Sequence, residues 1–256
     1  MNNTVRNTLV CLALVVSPFA AMANTLELVA GSAYAGYTGG SFTPYQNGQG
    51  GEFVALDTTS GTPVSWVPSG YSSKAKYTFT SGSLSGLTGF DTFCVQGGSN
   101  DVYFTPGVQY SYTESTQILG GPSGTLNLTQ GAAWLYSNFA TGILSGYNYT
   151  NAGSRLADAG ALQNALWYLE GEIANPNNAF SMLAVSHTYA TGGAFTSVNS
   201  AGASNFDVKV LNLRGPAQNQ LIYTGRGNVP DTGATLGFLV LGLGAIVAAR
   251  RKLQVR

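Results

Sequence analysis

The spacing of apolar residues changes twice along this chain, and that change limits the folds open to it. Segments 52–56, 76–80 and 108–112 read as strands, with β-branched and aromatic residues at alternating positions, as a half-buried sheet requires. Clusters such as Gly39-Gly40, Asn47-Gly48 and Pro68-Ser69-Gly70 punctuate them. From 128 to 139 the period lengthens to that of a helix, with Leu128, Ala132, Leu135 and Phe139 on one face. The stretch 154–173 is the clearer helix. Ser154 can cap it, Leu162, Leu166, Leu169 and Ile173 form its stripe, and Asn175-Pro176-Asn177-Asn178 stops it. Alternation returns at 206–211 and 220–224. Strands, two central helices and strands again imply an α+β domain on a mainly antiparallel sheet.

Both ends lie outside that pattern. The start carries Arg6, an apolar run from Leu9 to Val16, Pro18, and a small-x-small close at Ala21-Met22-Ala23. This order is that of a secretory leader cut after Ala23 by signal peptidase, and the run is too short to span a bilayer. At the other end Val229-Pro230-Asp231-Thr232-Gly233 precedes an apolar stretch, 234–249, and the basic cluster Arg250-Arg251-Lys252. Such a tail places a short helix in the inner membrane with its basic end on the cytoplasmic side. Gly237, Gly242 and Gly244 weaken that helix as a permanent anchor. The expected organisation is a signal peptide (1–23), one extracellular domain (24–228) and a C-terminal sorting signal (229–256).

The tail resembles that of the PEP-CTERM superfamily, and among its variants the type whose motif begins Val-Pro-Asp-Ser-Gly. The resemblance implies processing by an exosortase and display outside the inner membrane. The motif is also similar to the Leu-Pro-x-Thr-Gly signal of sortase substrates, so sortase-like processing stays open.

Charged residues make up 9% of the chain, against ~25% in ordinary soluble proteins. The basic tail balances a mildly acidic middle, whose bases are Lys74, Lys76, Arg155, Lys209, Arg214 and Arg226. No basic patch offers itself to nucleic acid. Roughly 205 residues between leader and tail suffice for one domain with a sizeable core.

Cys11 leaves with the leader, so Cys94 is the one cysteine of the exported chain. In an oxidising compartment it must be buried and inert, paired with another molecule, or consumed in some other bond. Two strings bear on this. Thr92-Phe93-Cys94-Val95 sits in what reads as a strand, and Leu162-Gln163-Asn164-Ala165-Leu166-Trp167 lies on the clearer helix. Together they resemble the paired signatures of thioester domains in bacterial surface adhesins, over roughly residues 90–172. The resemblance implies that the side chains of Cys94 and Gln163 condense with loss of ammonia. Ala165 and Trp167 match that motif; Leu162 stands where the family has Thr, and Leu166 where it has Ile. Gln130, in Thr129-Gln130-Gly131-Ala132-Ala133-Trp134, is a rival partner. A thioester needs apolar shielding until a target amine or hydroxyl arrives. Trp167, one turn beyond Gln163 on the same face, would be that lid.

Plainer readings exist for each residue: Cys94 as a small buried hydrophobe, Trp134 and Trp167 as core, Gln163 as surface filler. His187 is the only histidine and reads as a surface residue; a Cys94–His187–Asp207 triad has no local signature. One histidine and one cysteine cannot build a structural zinc site. Glu170 and Glu172, two apart on the helix, would face different ways. No cofactor, metal site or enzymatic activity is expected. Two functions remain: a surface protein that attaches covalently through a Cys94–Gln163 thioester, or a non-reactive component of the envelope or exopolysaccharide matrix.

Overall fold

The computed structural model describes residues 24–29, 46–47, 50–96, 104–105, 107–121, 124–187, 193–215 and 217–225. The leader, with Ala21 and Ala23, and the tail, with Val229 to Gly233 and Arg250 to Lys252, lie outside the described residues. Among the described residues eleven strands and three helices follow in chain order. The strands are β1 (Thr25–Val29), β2 (Gln46–Asn47), β3 (Gly50–Gly51), β4 (Phe53–Asp57), β5 (Lys76–Thr78), β6 (Thr88–Thr92), β7 (Gln109–Ser115), β8 (Gln117–Gly121) and β9 (Gly124–Asn127). Helices α1 (Gln130–Ala140), α2 (Ala152–Leu169) and α3 (Ala179–Ser186) come next, then β10 (Val208–Leu213) and β11 (Gln220–Tyr223).

Seven strands form one sheet in the order β11-β10-β7-β1-β4-β6-β5, paired antiparallel throughout. Past Thr92 the chain leaves β4 and pairs with β11: the Leu221 N–H donates to the Phe93 carbonyl and the Val95 N–H to that of Asn219, each at 3.0 Å. This joins β11, at one end of the strand order, to the continuation of β6, so the sheet rolls closed through residues 93–95 and leaves β5 outside the ring. One apolar cluster draws on the whole ring, with Leu26, Phe53, Phe90, Cys94, Tyr110, Leu211 and Ile222 as members. The alternate residues Phe93, Val95, Val208, Val210 and Leu221 pack instead with the three helices. Covered on both faces, β4 is buried from Phe53 to Leu56. The half-buried expectation fails there because Phe79 and Leu84 cover Val54 and Leu56 on one side and the rolled sheet encloses Phe53 and Ala55 on the other.

The helices differ from the sequence expectation in number and limits. Asn151, not Ser154, caps α2, its side chain accepting from the Ser154 N–H at 3.0 Å. The helix stops at Leu169, before the expected Ile173, because Gly171 takes the left-handed conformation at φ +79. The Glu172 N–H then reaches the Trp167 carbonyl and the Gly171 N–H that of Tyr168, the Schellman pattern. Glu170 and Glu172 therefore sit at and beyond the helix end rather than on it. Asn178, read as part of a stop, starts a third helix through a reciprocal capping box with Ser181. Among the described residues no helix is long and apolar enough to cross a membrane.

Candidate functional site

Cys94 lies at the seam where the sheet closes. Its bridge to Gln220 is of the kind in which the N–H and C=O of Cys94 point away from β11. Among the described residues no strand takes that edge; a side chain does. The Cys94 N–H donates to Gln163 Oε1 at 3.1 Å, and Gln163 Nε2 donates to the Cys94 carbonyl at 2.7 Å. The carboxamide of Gln163 thus substitutes for a neighbouring strand. Gln163 is 1% exposed, so it is not surface filler, and Cys94 is fully buried. The Gly51 N–H also points at Gln163 Oε1, at a longer 3.5 Å.

Two small strands make this possible. β2 and β3 pair into a flap over α2. Gly50 comes so close that a Cβ there would stand 2.3 Å from Gln163 Cγ and 3.1 Å from the Trp167 ring. Only glycine permits that approach. Trp167 is half-buried against the cluster that holds Cys94, and its indole N–H is buried without a partner. Gln163, Asn164 and Trp167 line a cavity of about 500 Å³ with Gly50, Gly160, Ala161, Pro176 and Asn178.

The thiol itself lies between two carboxamides. Cys94 donates its S–H to Gln218 Oε1 at 3.1 Å, and Gln220 Nε2 donates to Sγ at 3.1 Å. Sequence reasoning missed Gln218, Gln220, Gly50 and Gly51. Their separation from Cys94 along the chain left no local signal, although a Gly-Gly pair before an apolar strand hints at close backbone approach.

The rival glutamine stands elsewhere. Gln130 opens α1, its Oε1 accepting from the Ser204 N–H at 3.0 Å, while its Nε2 is buried unpartnered. Thr129 caps that helix and donates through N–H and hydroxyl to Glu170 Oε1, at 3.0 and 2.9 Å. Burial pushes the Glu170 carboxyl up to about 7. His187 ends α3 with its ring 4.1 Å from that of Trp134, and Asp207 occupies the turn before β10.

Beside the flap lies a buried ionic cluster. Arg155 on α2 grips Glu52 with Nε at 2.8 Å and Nη2 at 2.6 Å, and reaches Asp91 at 2.9 Å. The Tyr147 hydroxyl also donates to Glu52. Burial pushes both carboxyls up, and for Asp91 the neighbouring Glu52 adds to the effect. The cluster fixes α2 against β6 and the residue that follows the flap. Among the described residues no group of His, Cys, Asp and Glu could hold a metal ion.

Residues 228–253 match the VPDSG-CTERM motif. The motif marks an exosortase-type sorting signal, and so implies export, exosortase processing and a surface or extracellular location. No curated protein and no solved structure matches the chain.

Proposed function

We propose that this exported protein carries an internal thioester between Cys94 and Gln163 and uses it to attach covalently to a surface nucleophile, as an adhesin does. One observation carries the reading: the residue that bears the thiol also holds the Gln163 carboxamide by its own N–H and C=O. That grip keeps the acyl carbon beside the residue that carries its nucleophile, which favours intramolecular attack. Addition of Sγ to Cδ places negative charge on Oε1, where the N–H groups of Cys94 and Gly51 converge. Collapse restores the C=O bond, breaks the Cδ–Nε2 bond and expels Nε2 as ammonia, which carries off the thiol proton. Burial of Cys94 and the cover of Trp167 and Gly50 keep water from the acyl group. Each molecule reacts once, so the protein is not an enzyme. Before processing, the tail holds the chain in the inner membrane.

Methylamine and a thiol-alkylating reagent test this on the exported chain. Methylamine should add at Gln163 and free Cys94 for alkylation, and both changes should vanish in Cys94→Ala and Gln163→Ala but persist in Gln130→Ala. A Cys94 that alkylates after denaturation without any amine treatment contradicts the reading. A passive envelope component is the second reading, favoured by the carboxamides of Gln218 and Gln220 that already satisfy the thiol.

A further inference from the structure

When a thioester opens, sulfur must leave the acyl carbon with the bonding pair, and it leaves faster the better its thiolate is stabilised. The structure shows Cys94 with its thiol free, and so the surroundings into which sulfur withdraws once that bond breaks. Those surroundings come from the segment that closes the sheet. Gln220 Nε2 donates to Sγ at 3.1 Å, and Gln218 Oε1 accepts from it at 3.1 Å. Each carboxamide is held in its orientation by its other bonds. Gln220 Nε2 also donates to the Gln218 carbonyl at 3.1 Å, so its nitrogen and not its oxygen must face that way. Gln218 Nε2 donates to the Gln96 carbonyl at 3.1 Å, which keeps Oε1 on the sulfur. Gln96 Oε1 accepts from the Asn219 N–H at 3.0 Å and so pins the residue between the two glutamines. Sulfur therefore lies between one fixed donor and one fixed acceptor. Gln220 is fully buried, and its Oε1 has no hydrogen-bond partner among the described residues. An unpaired acceptor in the interior is costly, and Gln220 bears that cost while its nitrogen faces sulfur.

Resting on the thioester proposed above, we infer that Gln220 receives the departing sulfur: its fixed N–H stabilises the thiolate as the Cδ–Sγ bond breaks and so speeds transfer of the acyl group to an acceptor amine. The amine nitrogen adds to Gln163 Cδ and Oε1 takes the negative charge. Collapse restores the C=O bond as Sγ leaves with the bonding pair. An N–H donates more strongly to a charged sulfur than to the sulfur of a thioester, so the contact strengthens as the bond lengthens. The two glutamines act in opposite senses. Gln218 Oε1 has no proton to give and faces the growing charge, so it opposes the thiolate. Once the proton that nitrogen loses reaches sulfur, Gln218 accepts from the new S–H, the arrangement seen in the structure. The products are an amide at Gln163 and the Cys94 thiol. In reverse, the same Gln220 N–H serves the sulfur that attacks Cδ when the thioester forms.

The test follows methylamine addition to the exported chain by intact mass over time, with denaturation midpoints to confirm that each variant is folded. Gln220→Met keeps an unbranched side chain of similar length and removes the donor; it should slow addition roughly ten- to hundredfold. Gln218→Met removes the opposing oxygen and should open faster than the unaltered chain. A second arm reads the thiol alone, in Gln163→Ala, by the ultraviolet thiolate band as the pH is raised, with Cys94→Ala as the blank for tyrosine. Adding Gln220→Met should move the band to higher pH and adding Gln218→Met to lower pH, opposite shifts that loosened packing would not give. Gln220→Met opening within about twofold of the unaltered chain, or both variants slowing alike, overturns the inference and leaves the thioester standing. If Gln220→Met folds but forms no thioester, the second arm decides: a thiolate band at higher pH supports the inference and an unmoved band overturns it. No methylamine adduct in the unaltered chain removes the thioester and this role of Gln220 together.

Discussion

At the scale of single residues, glycine and glutamate have the sharpest consequences. Gly50→Ala would drive a methyl group to 2.3 Å from Gln163 Cγ, so the side chain must leave its place on Cys94. Such overpacking costs about 1–3 kcal/mol, and the methylamine-reactive fraction should fall with it. A variant that keeps full reactivity would show that the flap does not position Gln163. Glu170 makes a pH prediction. Its carboxyl is raised from 4.5 to about 7 in the fold, so the folded state binds the proton more tightly than the unfolded chain. Its contribution is therefore fully present below about pH 4.5, is lost as the pH rises towards 7, and is level above that. The loss is on the order of 3 kcal/mol. Urea denaturation at pH 5 and pH 8 should show it, and Glu170→Gln, which keeps an acceptor for Thr129 and nothing to ionise, should flatten that difference.

At the scale of elements, the third helix is informative. Asn178 accepts from the N–H groups of Phe180 and Ser181 and donates to the Ala161 carbonyl on α2, at 2.7 Å. Asn178→Ala should cost about 1–2 kcal/mol, read as a lower denaturation midpoint at unchanged slope. The sequence pattern around it, Asn-Pro-Asn-Asn, reads as a stop, and only the capping geometry reveals a start. The longer strands and two helices were legible because their apolar periods are regular. Helix ends were less so, since Gly171 and Asn151 act through local conformation that periodicity does not register. Cys94 and Gln163 were found through short motifs, and the fold brings them together across 69 positions of chain. Their neighbours Gln218 and Gln220 meet Cys94 because the sheet closes, and Gly50 and Gly51 meet Gln163 because the flap packs on α2, both long-range events.

At the scale of the whole molecule, a closed sheet and a helical layer are joined by one buried ionic cluster and one buried carboxamide. Arg155 ties α2 to Glu52 and Asp91, all nearly or fully buried. Arg155→Met leaves two buried carboxyls without their cation and should cost about 3–5 kcal/mol; a loss below ~1 kcal/mol in chemical denaturation would show that the cluster does not join the layers. The sorting motif at 228–253 sets where the molecule goes. What it does there turns on whether Cys94 and Gln163 are joined. The intact mass of the exported chain, prepared without amines or thiols and compared with Cys94→Ser prepared alike, decides this most directly. A native chain one ammonia lighter than its sequence requires, beside a variant of full mass, is the expected result. Full mass in the native chain would contradict the thioester and leave a passive surface protein.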